Sequence, residues 1–128
     1  MRNDVIHFKL DSAADLCFEL NLFSDGTAEA EILDHMAETV RCVFSAPFGT
    51  DKVKNLAERI WNAIGELPPI HVQGCDHTRI VVWLKGNKRS IDYGDYAPSK
   101  VLEVLSKELL DACNAILRDV APRSLRKR

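Results

Sequence analysis

The stretch HVQGCDHTRI, residues 71–80, gathers the side chains best suited to chemistry. His71, Cys75 and His77 are metal-ligand types, and a structural zinc site would require a fourth convergent group at a recognised spacing. The chain supplies one cysteine there and no second pair downstream. Cys75 and His77, two apart on an extended segment, would point the same way and could form a thiolate–imidazole pair. No third group to orient the imidazole and no oxyanion-stabilising device is legible beside them. A turn at Gln73-Gly74 feeding a strand from Thr78 accounts for the same residues, and the sequence favours that plainer reading. A second cluster, DYGDYAP, places Asp92, Tyr93, Asp95 and Tyr96 between a strand and a helix start. Connections of that kind often carry binding residues, and tyrosine brings contact area with a polar tip. Turn chemistry at Gly94 explains them equally.

The elements that must position these residues follow from periodicity. LCFELNLFSDGTAEAEIL alternates apolar and polar residues on both sides of Asp25-Gly26, a hairpin pattern. A three-residue loop Ser24-Asp25-Gly26, with Gly26 left-handed, pairs Leu22 with Ala28, Leu20 with Ala30 and Phe18 with Ile32. That register keeps one face dry, whereas a two-residue loop would mix the faces. The opposite face then aligns Glu19 with Glu31 and Asn21 with Glu29. Like charges directly opposite repel, so a cation should sit nearby. VIHFKL, pairing through a five-residue loop at 11–15, supplies one: Phe8 meets Phe18, Ile6 meets Leu20, His7 falls beside Glu19 and Lys9 beside Cys17. The resulting row His7–Glu19–Glu31 is a solvated charge ladder, a protein-docking strip, or three donors for a divalent cation.

Residues 35–49 fit either a fourth strand, through Val40, Cys42 and Phe44, or a helical stripe; a strand over 39–45 is favoured. TDKVKNLAERIWNAIGEL aligns Val53, Leu56, Ala57, Ile60, Ile64 and Leu67 as an amphipathic helix. Thr50 is its expected cap, Asp51 lies in its first turn, and Gly65 with Pro68-Pro69 ends it. PSKVLEVLSKELLDACNAILRDVAP repeats the pattern through Leu102, Leu105, Leu109, Cys113, Ile116 and Val120, with Pro98 in the first turn. Between the helices, RIVVWLKGNKRSIDYGD reads as a hairpin about Gly86-Asn87, with Val82 facing Ile91, Ile80 facing Tyr93 and Trp83 facing Ser90. Cys113 falls on the buried stripe as a small core residue.

The expected architecture is a single α+β domain over residues 1–122 with a basic tail at 123–128. An antiparallel sheet, built from an N-terminal meander and a later hairpin, carries two helices on one face in the order β-β-β-(β)-α-β-β-α. The chain's 128 residues can bury a core without staples, and 46% hydrophobic with 28% charged residues is an ordinary globular balance. No apolar run approaches a membrane span, and Asp4 and His7 interrupt the start where a secretory core would lie. Scattered Cys17, Cys42, Cys75 and Cys113 fit reduced thiols, so a cytoplasmic location is expected.

The net charge of −2 conceals an asymmetry. Residues 1–49 hold three basic residues against nine acids, a balance of −6, and residues 50–128 hold 14 against 10, a balance of +4. The lysine-rich tip at Lys85, Lys88 and Arg89 lacks the aromatic row of a nucleic-acid platform, so no nucleic acid is expected. There is no GxGxxG, Walker A, HExxH or GxSxG motif, and no cofactor is expected. In size, charge asymmetry and lack of catalytic motifs, the chain is similar to the small acidic-faced immunity proteins with which bacteria block toxins. The favoured function is a non-catalytic protein-binding domain, monomeric or homodimeric, that docks a basic partner. Its expected contact residues are Glu19, Glu29, Glu31 and Asn21, helped by Tyr93, Asp95 and Tyr96. The alternatives are a small metal- or cysteine-dependent enzyme using His7, Glu19 and Glu31 or Cys75 and His77, and a homo-oligomeric structural subunit.

Overall fold

A computed structural model describes residues 3–11, 16–34, 41–67, 77–94 and 97–120. Six strands and two helices follow one another as β1 (Asp4–Asp11), β2 (Leu16–Phe23), β3 (Thr27–Asp34), β4 (Arg41–Pro47), α1 (Thr50–Gly65), β5 (His77–Leu84), β6 (Asn87–Tyr93) and α2 (Lys100–Val120). This is the α+β order expected from the sequence, with the ambiguous fourth segment a strand. All strand pairs are antiparallel, in the spatial order β4-β3-β2-β1-β5-β6.

The alternation in each strand sends one set of side chains to the helices. Ile6, Phe8, Leu20, Leu22, Ala28, Ala30, Ile80 and Val82 are fully or almost fully buried there. The helical stripes meet them with Val53, Leu56, Ala57 and Ile60 from α1, and Leu102, Leu105, Leu109 and Cys113 from α2. α1 lies over β1, β5 and β6, and α2 over β2, β3 and β4. Both helices therefore share one face, and burial of their apolar stripes is the main force holding the two layers together.

The β2–β3 hairpin has the expected register, with Leu22 opposite Ala28, Leu20 opposite Ala30 and Glu19 opposite Glu31. Gly26 takes φ 86, and its amide donates to the Phe23 carbonyl across a distance of 3.0 Å. Asp25 locks the turn by accepting from the Thr27 amide at 3.0 Å. The same turn anchors the next element: the Gly26 carbonyl accepts from the amides of Phe48 and Gly49 at 2.8 and 2.9 Å, just ahead of α1.

Two registers differ from expectation, each by two residues. In β1–β2, Phe8 faces Leu20, His7 faces Asn21 and Lys9 faces Glu19. In β5–β6, the turn is Lys85-Gly86, so Ile80 faces Ile91 and Trp83 faces Lys88. A slip of two leaves every side chain on its own face, so apolar alternation cannot distinguish such registers. Local chemistry decides instead. The observed β1–β2 register sets Lys9 against Glu19, where the expected one set His7 against Glu19 and left Lys9 beside Cys17. At the second turn, Lys85 and Gly86 take φ 52 and 80, the two left-handed positions of a type I′ turn, whose twist matches that of the strands.

The helix starts are also corrected. Gly49, not Thr50, is the N-cap of α1, and no side chain caps it. Ser99 caps α2, its hydroxyl accepting from the Leu102 amide at 3.2 Å, while Pro98 stands before the helix.

Candidate functional site: the charged sheet face

With both helices on one side, the opposite sheet face displays the outward residues of six strands. Reading across the register, one row runs Glu31, Glu19, Lys9, Arg79, Asp92 from β3 to β6. The adjacent row runs Ser45, Glu29, Asn21, His7, Val81, Ser90 from β4 to β6. Rows of this kind are spaced roughly 7 Å along the strands, and neighbours roughly 5 Å across them. Glu19, Glu29 and Glu31 therefore form a compact acidic patch on β2 and β3, with Asn21 at its fourth corner. All four are partly exposed.

Toward β5 and β6 charges of both signs are interleaved. Asp92 Oδ1 accepts from Arg79 Nε at 2.9 Å, and His77 Nε2 lies 2.9 Å from the same oxygen. A recess of about 130 Å³ opens among Lys9, Asp11, His77 and Arg79. The face is thus uneven: carboxylates on β2 and β3, and a lysine, an arginine and a histidine interleaved with Asp11 and Asp92 on β1, β5 and β6. The arginine–aspartate pair was missed from the sequence because the expected hairpin register put Arg79 opposite Gly94. With the turn placed at Lys85-Gly86, the two charges fall opposite each other.

The row His7–Glu19–Glu31 does not form as expected. His7 lies opposite Asn21 and reaches Glu19 only diagonally, with Nε2 3.7 Å from Oε1. Glu31 lies on the far side of Glu19 from β1. Among the described residues no three His, Cys, Asp or Glu side chains converge in a ligand arrangement. Cys17, also on this face, is 8% exposed. Burial, with Asp11, Glu19 and Glu31 nearby, pushes its thiol pKa up despite the opposing influence of Lys9, which disfavours the thiolate.

Of the remaining expected site residues, Tyr93 belongs to the opposite layer. It is 6% exposed, and its hydroxyl hydrogen-bonds the Ser106 hydroxyl on α2, so it cannot share a docking surface with Glu19. Burial raises its pKa above 10.0. Its position in the last inward slot of β6 explains this: it faces Thr78, the one buried polar residue of the described set. His71, Cys75, Asp95 and Tyr96 lie outside the described residues. His77 lies at the start of β5, paired with Asp92 as described above.

The helical side holds a larger cleft, about 570 Å³, between the start of α1 and the middle of α2. Arg59 and Glu108 bridge it at 2.9 Å, with Asp51, Lys52 and Asp111 around the rim. Its charges alternate in sign, so it presents no field of one sign comparable to the patch on β2 and β3.

No known protein family matches the sequence, and no curated protein sequence matches it significantly.

Proposed function

We propose that the protein is a non-catalytic binding domain, of inhibitor, immunity or adaptor type, that docks a basic protein partner on the sheet face formed by β2 and β3. The observation that carries this reading is the grouping of Glu19, Glu29 and Glu31 on the face away from both helices. Three carboxylates grouped on one sheet face steer a partner bearing lysines or arginines toward it and fix its orientation. Rigid strands fix the pattern before encounter, so little ordering is lost on binding. Asn21, at the corner of the patch, offers both a donor and an acceptor to the partner's backbone. Lys9 and His7 at the inner border limit how far a cationic surface can extend over the sheet, which gives the interface an orientation. We place the domain in the cytoplasm, in keeping with its buried free thiols Cys17 and Cys113.

The test is affinity capture from source cells with two baits side by side, the natural chain and a Glu19→Lys/Glu31→Lys variant whose circular dichroism is unchanged. A stoichiometric basic protein retained by the first bait in low salt, and lost both with the second bait and in high salt, is the expected result. Equal retention by both baits would remove the patch from the interface.

A further inference from the structure

The sheet has two edges, and they are not equivalent. β4 ends in Pro47, whose nitrogen carries no hydrogen. In the β3–β4 register Pro47 belongs to the outward-directed set, so that edge is short of a donor. β6 has no proline and, among the described residues, no strand beyond it. Its two-residue turn closes on the pair Leu84/Asn87, which makes that pair hydrogen-bonded. Alternation along an antiparallel ladder then assigns the backbone groups of Asn87, Arg89, Ile91 and Tyr93 to β5. The N–H and C=O groups of Lys88, Ser90 and Asp92 point to the open edge.

From this we propose that β6 pairs antiparallel with β6 of a second copy of this chain, about a two-fold axis at Ser90. Full overlap of the seven-residue strand places Ser90 opposite its own counterpart, and Lys88 opposite Asp92 of the other copy, twice. These are the positions whose backbone groups face outward, so the hydrogen-bonding register and the charge register coincide. A shift by two residues to either side loses that coincidence, since Ser90 would then face a charged residue. Lys88 and Ser90 are exposed, and Asp92 uses Oδ1 for Arg79 and His77, which leaves its second oxygen available to a lysine. On the inner face Arg89 is already held by α1. Its guanidinium lies 4.1 Å from the Trp61 ring centroid and donates to the Trp61 carbonyl at 2.9 Å, so it does not obstruct the approach. The pairing joins two six-stranded sheets into one of twelve strands and sets an acidic patch toward each outer side, making the assembly bivalent for a basic partner.

Sedimentation equilibrium over rising concentration tests this. The natural chain should move from 14.4 kDa toward twice that mass. Lys88→Glu and Asp92→Lys should each remain monomeric, because each sets like charges against like. Their equimolar mixture should pair, since every contact across the edge is then between opposite charges. Ser90→Pro removes only an outward donor, so it should keep the fold by circular dichroism and lose the dimer. A natural chain that stays at 14.4 kDa up to about 1 mM would overturn the proposal. So would a folded Ser90→Pro variant that still dimerises, or a mixture of charge variants that associates no better than its components.

Discussion

At Tyr93 and Glu19, on opposite faces of one sheet, the same physics gives opposite outcomes. Tyr93 is buried and meets its polar requirement with Ser106, and a buried hydroxyl is retained in a core only with such a partner. Tyr93→Phe should therefore cost about 1 kcal/mol in urea unfolding, because Ser106 loses its partner, and should leave partner binding unchanged. Glu19 keeps its carboxylate at the surface, and its backbone is tied to the helical layer, the Cys113 thiol donating to its carbonyl at 3.8 Å. Glu31→Lys should leave stability within about 0.5 kcal/mol, as a substitution at a partly exposed position of the outer sheet face. Urea midpoints of the two variants separate these expectations. The tyrosine was assigned to a docking surface because it belongs to an aromatic–acid connection between a strand and a helix, where binding residues often gather. The two-residue alternation of β6 sends it inward in the expected register, where it faced Ile80, and in the observed one, where it faces Thr78.

At the scale of elements, the hairpins show what a sequence makes legible. The β2–β3 turn was readable because Gly26 stands where a left-handed residue fits, and of the two loop lengths at Asp25-Gly26 only the three-residue one keeps the apolar sets on one face. Substitution of Gly26 by alanine should be costly. It would strain φ 86 and bring a Cβ to 2.8 Å from the Thr50 backbone nitrogen, disturbing the turn and the start of α1 together. A loss of roughly 1–3 kcal/mol is expected, measured by chemical denaturation. The β5–β6 turn was misread because Gly86 permits either a Gly-first or a Gly-second turn, and both keep Ile80 and Val82 inward. The β1–β2 register failed for the same reason, with a longer connection and no glycine to fix it. Faces, helical stripes and element order were thus legible from periodicity. Registers were legible only where a turn has one conformational solution, and the arginine–aspartate pair of the site depended on such a register. Helix starts were misplaced by a residue or more at both helices: the cap Gly49 precedes Thr50, and the cap Ser99 follows Pro98.

For the whole molecule, the two-layer arrangement determines both stability and exposure. The helices cover one sheet face and bury the Cys113 thiol so completely that its pKa is pushed up to about 12. In the unfolded chain that thiol titrates near 9.0. Between these values the unfolded chain has lost a proton that the folded one keeps, so stability must fall as pH rises. Tyr93, also raised by burial, acts in the same direction above 10.0. The urea midpoint should be nearly level from about pH 7 to 8.5 and should decline steadily above 9, with Cys113→Ala flattening the first part of that decline. The face opposite the helices carries the other half of the design: a charge pattern on strands, acidic on β2 and β3 and mixed on β1, β5 and β6. Among the described residues no helix is long and apolar enough to cross a membrane.

The most direct measurement of the central claim is the association rate constant of the captured partner, as a function of ionic strength, for the natural chain and for Glu19→Lys/Glu31→Lys. Docking on the acidic patch predicts a rate that falls steeply with salt for the natural chain. It also predicts a rate at least about tenfold lower at low salt for the variant, with a much weaker salt dependence. Association rates that ignore both salt and the charge reversal would contradict the account and move the interface off β2 and β3.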